Sequence, residues 1–202
     1  MDKDTENRLL KQMEFILEID KEKNITRQTH LTGHGRNEND SEHAWHMAIM
    51  TYLLREYSNE KIDIAHTMMM CLIHDIVEID AGDTYAYDEE GKKTQREREE
   101  KAAERIFGML PKDQRDELRA LFEEFEEDAT AEAHFAHAMD NFQPLLLNDS
   151  NEGADWERHG VNRKQVDGRQ KKTRLGSEIL YEKTMEILDK NEEAGHIRHS
   201  ED

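Results

Sequence analysis

Apolar residues recur along most of this chain at intervals of three and four positions, with charged and polar residues between them. This spacing places the apolar side chains on one face of an α-helix. No stretch has the alternation of apolar and polar residues that is typical of a half-buried strand. The pattern predicts an all-α, single-domain helical bundle of about seven to eight helices. We expect these helices at about residues 5–19, 41–54, 60–81, 95–110, 118–125, 131–147 and 163–190.

The segments between the predicted helices have the composition of loops. Residues 20–40 lack a helical pattern and are locally basic, and residues 83–94 and 148–162 are polar connections. We expect residues 1–190 to form the one folded domain. Residues 191–202 are expected to form a mobile C-terminal tail, because a polar chain end has little to hold it in place.

Composition narrows the kinds of partner and the compartment. The chain has 28 Lys and Arg residues against 47 Asp and Glu residues, a net charge of −19, and a field of that sign repels nucleic acid. Cys71 is the only cysteine, so a disulfide framework is excluded and a reducing compartment is favoured. The chain has no long apolar stretch and begins without a signal-peptide pattern. We therefore expect a cytoplasmic protein with no nucleic-acid or membrane partner.

The most informative stretch runs from Cys71 to Asp83, with the sequence CLIHDIVEIDAGD. The residues before it, 65–73, are almost all apolar and predict a helix that is buried nearly all round. Such a helix brings His74 and Asp75 into the interior, where unpaired polar groups are costly. A divalent cation is the leading candidate to compensate them.

Metal-type ligands lie on the apolar faces of three different predicted helices. They are His43, the pair His74 and Asp75, and Asp140. Residues this far apart in the chain act together only if the helices form a bundle. Two imidazoles and two carboxylates make a mixed nitrogen and oxygen set that suits a divalent Mn, Fe, Co, Ni or Zn ion, and Mg also stays a candidate. A cation there would make bound water a nucleophile near neutral pH.

Two further carboxylates are candidates for proton transfer. Glu78 follows His74 by four residues, so on a continuous helix it lies one turn along the same face and can orient or deprotonate the attacking water. Asp83 follows Gly82, where the helix is expected to stop. Crowded carboxylates raise one another's pKa, so Asp83 is a candidate to protonate the leaving alkoxide.

This arrangement of residues resembles the HD-domain metal-dependent phosphohydrolases. The flanking motifs Ser-Glu-His at 41–43, His-Asp-Ile-Val-Glu at 74–78 and Gly-Asp at 82–83 more narrowly resemble a branch that includes the bacterial 5'-deoxynucleotidases and their eukaryotic HD-domain relatives. The similarity covers about residues 25–147. It implies an all-helical HD domain, usually a homodimer, that removes phosphate from a deoxynucleoside 5'-monophosphate or a similar small phosphoester.

The resemblance also implies roles for single residues. The metal ligands of the family fall on His43, His74, Asp75 and Asp140. The catalytic acidic pair falls on Glu78 and Asp83. The turn that contacts substrate falls on Asp83, Thr84, Tyr85 and Ala86. The arginine that orients phosphate ahead of the first histidine falls on either Arg27, which is near that position, or Arg36, which is closer to the helix.

Some of these residues can also have a purely structural role, and other functions are compatible with the same motif. A single buried histidine is more often a core residue than a ligand, and we favour that interpretation for His46, His134 and His137. Asp80 is expected to be a surface carboxylate at a helix end. The same metal set serves hydrolysis of a cyclic phosphodiester or a nucleoside triphosphate, and a catalytically idle, metal-stabilised interaction module is a further alternative. The base, the sugar and the metal are not identified by the sequence.

Overall fold

The computed structural model describes residues 1–200, and the helices hold most of them. Their bounds are α1 Lys3–Ile19, α2 Asp40–Leu54, α3 Ile64–Ile73, α4 Glu78–Ala81, α5 Glu89–Phe107, α6 Lys112–Glu127, α7 Ala131–Ser150, α8 Ala154–His159, α9 Arg163–Gly176 and α10 Glu178–Glu193. The expected all-α class is confirmed. The structure has more helices than the pattern predicts. The prediction includes α4 in the central helix, α8 in a loop, and α9 and α10 in one helix. Within the described residues, no helix is both long enough and apolar enough to span a membrane.

The segment expected to be a basic loop contains a small sheet. Strand β1 is Thr26–His30 and strand β2 is Asn37–Asn39, and the two pair antiparallel. The expectation that the chain has no strand is wrong here because both strands are polar (TRQTH and NEN), so they lack the apolar alternation by which a strand is recognised in a sequence. The sheet carries Arg27 and ends directly at α2, whose N-cap is Asn39.

The central helix is also shorter than predicted. Helix α3 ends at Ile73, and residues 74–77 form a turn before the four-residue helix α4 begins at Glu78. In this turn the amide of Glu78 donates to the carbonyl of Asp75 at 2.8 Å, a bond between residues three apart. The apolar run continues through the turn because Ile76 and Val77 are buried. Glu78 therefore does not extend the face of α3, and a different geometry brings it to the site.

The long last helix of the prediction is two helices. Ser177 has an extended backbone with φ −157° and separates α9 from α10. Its hydroxyl donates to the carbonyl of Tyr57 and accepts from the amide of Leu180, which caps α10. The preceding Gly176 lies against α7, where a Cβ atom would stand 2.2 Å from the carbonyl oxygen of His134. Glycine is therefore required for the close approach of α9 and α7.

Helix α7 lies at the centre of the bundle. It packs against α2, α3, α6, α9 and α10. The larger hydrophobic core around it includes the fully buried residues Met47, Met70, Phe135, Met139 and Leu188. A second core, between α1, α5 and α6, includes Ile106, Phe107 and Phe122. The ends of α2 and α3 meet α7 between these two cores, and that junction holds the candidate site.

Part of the segment expected to be a mobile tail makes specific contacts. Helix α10 continues to Glu193, Ile197 is buried, and Arg198 pairs with Asn162 in a short parallel bridge. Burial of one isoleucine in a polar segment leaves little periodic pattern, which is why the sequence does not predict it. Mobility of this end stays a prediction, and residues 201–202 lie outside the described part of the chain.

Candidate metal centre and adjoining cavities

The four predicted metal ligands lie together. His43, on the first turns of α2, and His74 and Asp75, in the turn after α3, are all buried and offer ligand atoms within 4.8 Å of one another. Asp140, on α7, joins them through its Oδ1, which is 3.1 Å from Nε2 of His43. In a separate ion-pair contact, Nε2 of His74 lies 3.1 Å from Oδ1 of Asp75. Side chains distant in the sequence thus converge at the junction of three helices.

Hydrogen bonds hold both imidazoles in one orientation. Nδ1 of His43 donates to Oε1 of Gln143 at 3.0 Å, and Nε2 of Gln143 donates to Glu38 at 2.7 Å, which fixes the direction of the amide. Nδ1 of His74 donates to the carbonyl of Cys71 at 2.9 Å. Because Nδ1 of each ring donates away from the centre, Nε2 of each ring faces the centre and can bind a cation once it carries no proton. Metal-binding histidines in proteins are commonly held in this way.

The electrostatics of the centre suit a divalent cation. Burial, reinforced by the charge of Arg27, lowers the pKa of His43 to about 4, so that ring is neutral. Burial disfavours the charged form of His74, but the adjacent Asp75 carboxylate outweighs it and raises the pKa of His74 to about 9. Despite burial, the pKa of Asp140 is lowered by its hydrogen bond to His43 and by nearby Arg169. Two imidazoles beside two ionised carboxylates fit a cation, which would take the place of the proton on His74.

Three more carboxyl groups form a second cluster beside the first. Asp40, Glu78 and Asp83 have carboxylate oxygens within 4.8 Å of one another. Burial and then the charge of Asp75 raise the pKa of Asp40 to about 7, and the same causes raise the pKa of Glu78 well above its usual range. Burial also raises the pKa of Asp83. The cluster therefore holds protons at neutral pH, as adjacent carboxyls do when like charges are crowded.

Only one of the two candidate arginines lies in the site. Arg27, on β1, donates to Asp75 Oδ2 at 2.7 Å and to Asp40 Oδ1 at 3.2 Å, so it bridges the metal centre and the acidic cluster. Arg36 is bound to the carboxylate of Glu42 on the outside of α2, with 60% of its side chain exposed. The structure therefore brings Arg27 to the predicted metal ligands and leaves Arg36 outside.

Two connected spaces adjoin the centre. A wide cleft of about 890 Å3 contains the metal centre on its wall, with Arg27, Glu78 and Asp83 beside it. A narrower inner cavity of about 70 Å3 shares Arg27 and Asp83 with the cleft. The predicted substrate-contacting turn lines this inner cavity with Asp83, Thr84, Tyr85 and Ala86. The shared residues place the inner cavity next to the part of the cleft that adjoins the metal centre.

The favoured structural interpretations agree with local contacts. Nε2 of His137 is 2.8 Å from the carbonyl of Phe125, and Nε2 of His134 is 3.0 Å from the carbonyl of Asp128. His46 instead lies 3.1 Å from the amide of Gln143, behind the metal centre. Asp80 is on the surface and pairs with Arg105. None of these contacts joins a ring or carboxylate to the centre itself.

Several residues of the site were not predicted. Asp40 lies three residues before His43 and is fully buried. Gln143 lies three residues after Asp140, a spacing that places both on one helix face and that was a usable signal. Arg169 lines both spaces and lies 3.6 Å from Asp140 Oδ2. It occurs in a run of polar and basic residues, and nothing in the sequence distinguishes it from its neighbours.

The sequence of this chain is similar to those of several known proteins. Human 5'-deoxynucleotidase HDDC2 is 32% identical over 111 residues, which are 55% of this chain and 53% of the human protein. The mouse protein of the same name is 32% identical over 109 residues, 54% of this chain and 53% of its own length. The chain thus spans about half the length of the curated relatives it matches.

Solved structures and a family model extend the comparison. A predicted metal-dependent phosphohydrolase from Magnetospirillum magnetotacticum MS-1 superposes with a TM-score of 0.91 at 48% identity, covering 95% of this chain and 96% of that one. An HD-domain phosphohydrolase from Listeria innocua has a TM-score of 0.56 at 15% identity, over 91% of this chain and 82% of its own, and shares the fold. The family model described as HD domain matches residues 19–180, which is most of the chain. This chain therefore belongs to the HD domain family.

Proposed function

We propose that this chain is a metal-dependent phosphohydrolase that removes phosphate from a small phosphomonoester, in the first place a (deoxy)nucleoside 5'-monophosphate. The observation that carries the proposal is the convergence of His43, His74, Asp75 and Asp140, the last three of which line an open cleft. The similarity to proteins named 5'-deoxynucleotidase and metal-dependent phosphohydrolase supports it. A divalent cation held by these four side chains would supply Lewis acidity and lower the pKa of water.

The arginines of the site suit a phosphate group. Arg27 and Arg169 approach the metal centre from opposite elements, β1 and α9, and both line the cleft and the inner cavity. Arginine forms paired, charge-assisted hydrogen bonds with phosphate oxygens. These bonds strengthen as negative charge develops on the oxygens during hydrolysis. Both arginines already contact carboxylates of the site, so they are held in position before substrate arrives.

The acidic cluster supplies proton transfer in this proposal. Asp83 lines both spaces, and burial raises its pKa, which is the direction that favours a proton donor to the oxygen of the leaving alcohol. Glu78 lines the cleft beside the metal centre and orients the attacking water. The raised pKa of Glu78 keeps its carboxyl group protonated, which opposes a role as the base. Glu78 can remove a proton from water only if a nearby cation favours the carboxylate form.

The test of this proposal is a substrate panel with the metal varied. Metal-free protein is loaded with Mn, Co, Fe, Ni, Zn or Mg, and phosphate release is measured from deoxynucleoside and nucleoside 5'-monophosphates, a nucleoside triphosphate and a cyclic dinucleotide. We expect monophosphates to be hydrolysed most efficiently. If a triphosphate or a cyclic diester is hydrolysed more efficiently than the monophosphates, the site serves that rival reaction instead. Equal activity in wild type and a His74→Ala variant would indicate an idle metal-stabilised module.

We also propose that the protein is a cytoplasmic homodimer, associated through the outer face of α2. Trp45, Tyr52 and Leu53 on this face are 62%, 52% and 60% exposed. No charged residue occurs between Glu42 and Arg55 in a chain that is 37% charged. Aromatic and apolar surfaces that lack charge are typical of subunit interfaces.

The dimer proposal is tested by sedimentation of matched variants. Leu53→Glu should convert a dimer into a monomer, because it places a charge in the interface. Leu175→Glu, on the exposed side of α9 and similarly exposed at 54%, is the control that should leave the mass unchanged. A wild-type protein that sediments as a monomer at micromolar concentration contradicts the proposal.

A further inference from the structure

The inner cavity contains two buried amides that each have one atom without a hydrogen-bond partner in the described chain. These atoms are Nδ2 of Asn141 and Oδ1 of Asn148. The two residues line the cavity and are only 4% and 5% exposed. Buried polar atoms in native proteins are nearly always paired, so two such atoms in one cavity point to a ligand that pairs them. Neither atom takes part in the metal centre or the acidic cluster.

A side-chain contact of Asn148 fixes which atom its amide can offer. Nδ2 of Asn148 donates to the carbonyl of Pro144 at 2.9 Å, so the free atom of this amide is the acceptor Oδ1. The free atom of Asn141 is a donor, Nδ2. The backbone around Asn141 is held in place because its carbonyl accepts from Nε2 of Gln170 at 3.2 Å. The cavity therefore requires an acceptor on the ligand near Asn141 and a donor near Asn148.

The positions of the two amides follow the direction of α7. Asn141 is next to the metal-centre residue Asp140, whereas Asn148 lies about 10 Å farther along the helix axis at about 1.5 Å per residue. Pro144 and Leu145 line the cavity between them, and Trp156 lies across from that stretch. Along α7 the cavity thus passes from the polar metal centre, past Pro144 and Leu145, to the acceptor Oδ1 of Asn148. The polar side chains of Gln28, Thr29, Asp155 and Gln170 also line it. A phosphate, a sugar and a flat base match this order.

We infer that Asn148 selects the base, by accepting a hydrogen bond from an amino group at its far edge, while Asn141 donates to an oxygen of the sugar. This inference rests on the proposed function. Cytosine at C4 and adenine at C6 carry such an amino group, whereas uracil, thymine and guanine carry a carbonyl oxygen at the equivalent position. A carbonyl there would face Oδ1 of Asn148 with two acceptors and no proton between them. The enzyme then prefers dCMP and dAMP to dUMP, dTMP and dGMP.

The decisive comparison is dCMP against dUMP, because the two differ only at the C4 substituent. We expect kcat/KM for dCMP to exceed that for dUMP by about tenfold, the ratio that corresponds to roughly one hydrogen bond. Asn148→Leu, which has similar volume and no acceptor, should bring the ratio close to one. Asn141→Leu is the matched control, since it should reduce kcat/KM for both nucleotides and leave their ratio unchanged.

A second measurement needs no variant. Deoxycytidine should inhibit the wild-type enzyme about tenfold more strongly than deoxyuridine as a competing product. Equal inhibition, or a dCMP to dUMP ratio near one in the wild type, overturns the inference while hydrolysis of both nucleotides leaves the proposed function intact. If the enzyme hydrolyses no deoxynucleotide but releases phosphate from another monoester, the proposed nucleotide substrate is wrong. The inference about Asn148 is then wrong as well.

Discussion

Gln143 determines how His43 meets a metal ion. Its Oε1 accepts from Nδ1 of His43, and its own amide is held by Glu38, so Nε2 of His43 faces the centre. We predict that Gln143→Leu weakens metal affinity by about 10- to 100-fold, the usual effect of removing such a supporting contact. Titration calorimetry with Mn or Co measures it. Gln12→Leu, the same change on α1, is the control, and equal affinities in the two variants would contradict this role.

Asp75 and Glu78 are close in sequence but have different predicted roles. We expect Asp75→Ala to lose both bound metal and activity, because it removes a ligand atom of the buried triad. Glu78→Ala should keep the metal and slow turnover, since Glu78 belongs to the neighbouring acidic cluster. Metal content per chain, measured by elemental analysis alongside kcat, separates the two. Equal loss of metal from both variants would make Glu78 a ligand.

The protonation of His74 predicts how metal binding changes with pH. In the free protein the pKa of His74 is raised to about 9, and a cation binds only the neutral ring. Below pH 9 the neutral fraction falls about tenfold for each unit of decreasing pH. Metal affinity should therefore rise about tenfold between pH 7 and pH 8 at constant ionic strength. Calorimetry at the two pH values tests this, and a flat affinity would mean that His74 is already neutral.

Among the larger elements, the packing of α9 on α7 depends on one missing side chain. Gly176→Ala would place a Cβ atom 2.2 Å from a backbone carbonyl oxygen of α7. We predict that it lowers the free energy of unfolding by about 1–3 kcal/mol or more, as overpacking does. Gly168→Ala in the same helix meets nothing within 4 Å and should be neutral or stabilising by up to about 1 kcal/mol. Chemical denaturation measures both, and similar stabilities would exclude the close approach as the cause.

The elements also show where sequence reasoning succeeds and where it stops. Helices with a regular apolar face, such as α6, were predicted because their periodicity is local. The strands β1 and β2 and the break at Ser177 were not, because polar strands and a single extended residue have no such pattern. The metal ligands came from a recognisable motif. Residues such as Arg169 and Asn148 reach the site only because elements distant in the sequence pack together, so no local pattern predicts them.

For the molecule as a whole, charge limits its partners. The net charge of −19 repels DNA and RNA over the distances at which association begins. We predict no measurable binding of a 20-nucleotide DNA at physiological salt. A fluorescence anisotropy titration at several salt concentrations tests this prediction. Binding in the micromolar range that weakens as salt increases would contradict it and would require a basic surface that outweighs the overall charge.

The proposed function depends on one metal ion that lies between α2, the turn after α3, and α7. Crystals of the protein grown with Mn or Co, with anomalous diffraction recorded at the absorption edge of the metal, locate that ion. We predict a strong anomalous peak within bonding distance of Nε2 of His43, Nε2 of His74 and carboxylate oxygens of Asp75 and Asp140. A peak elsewhere, or an ion at this place that the carboxylate of Asp140 does not reach, would contradict the proposed centre.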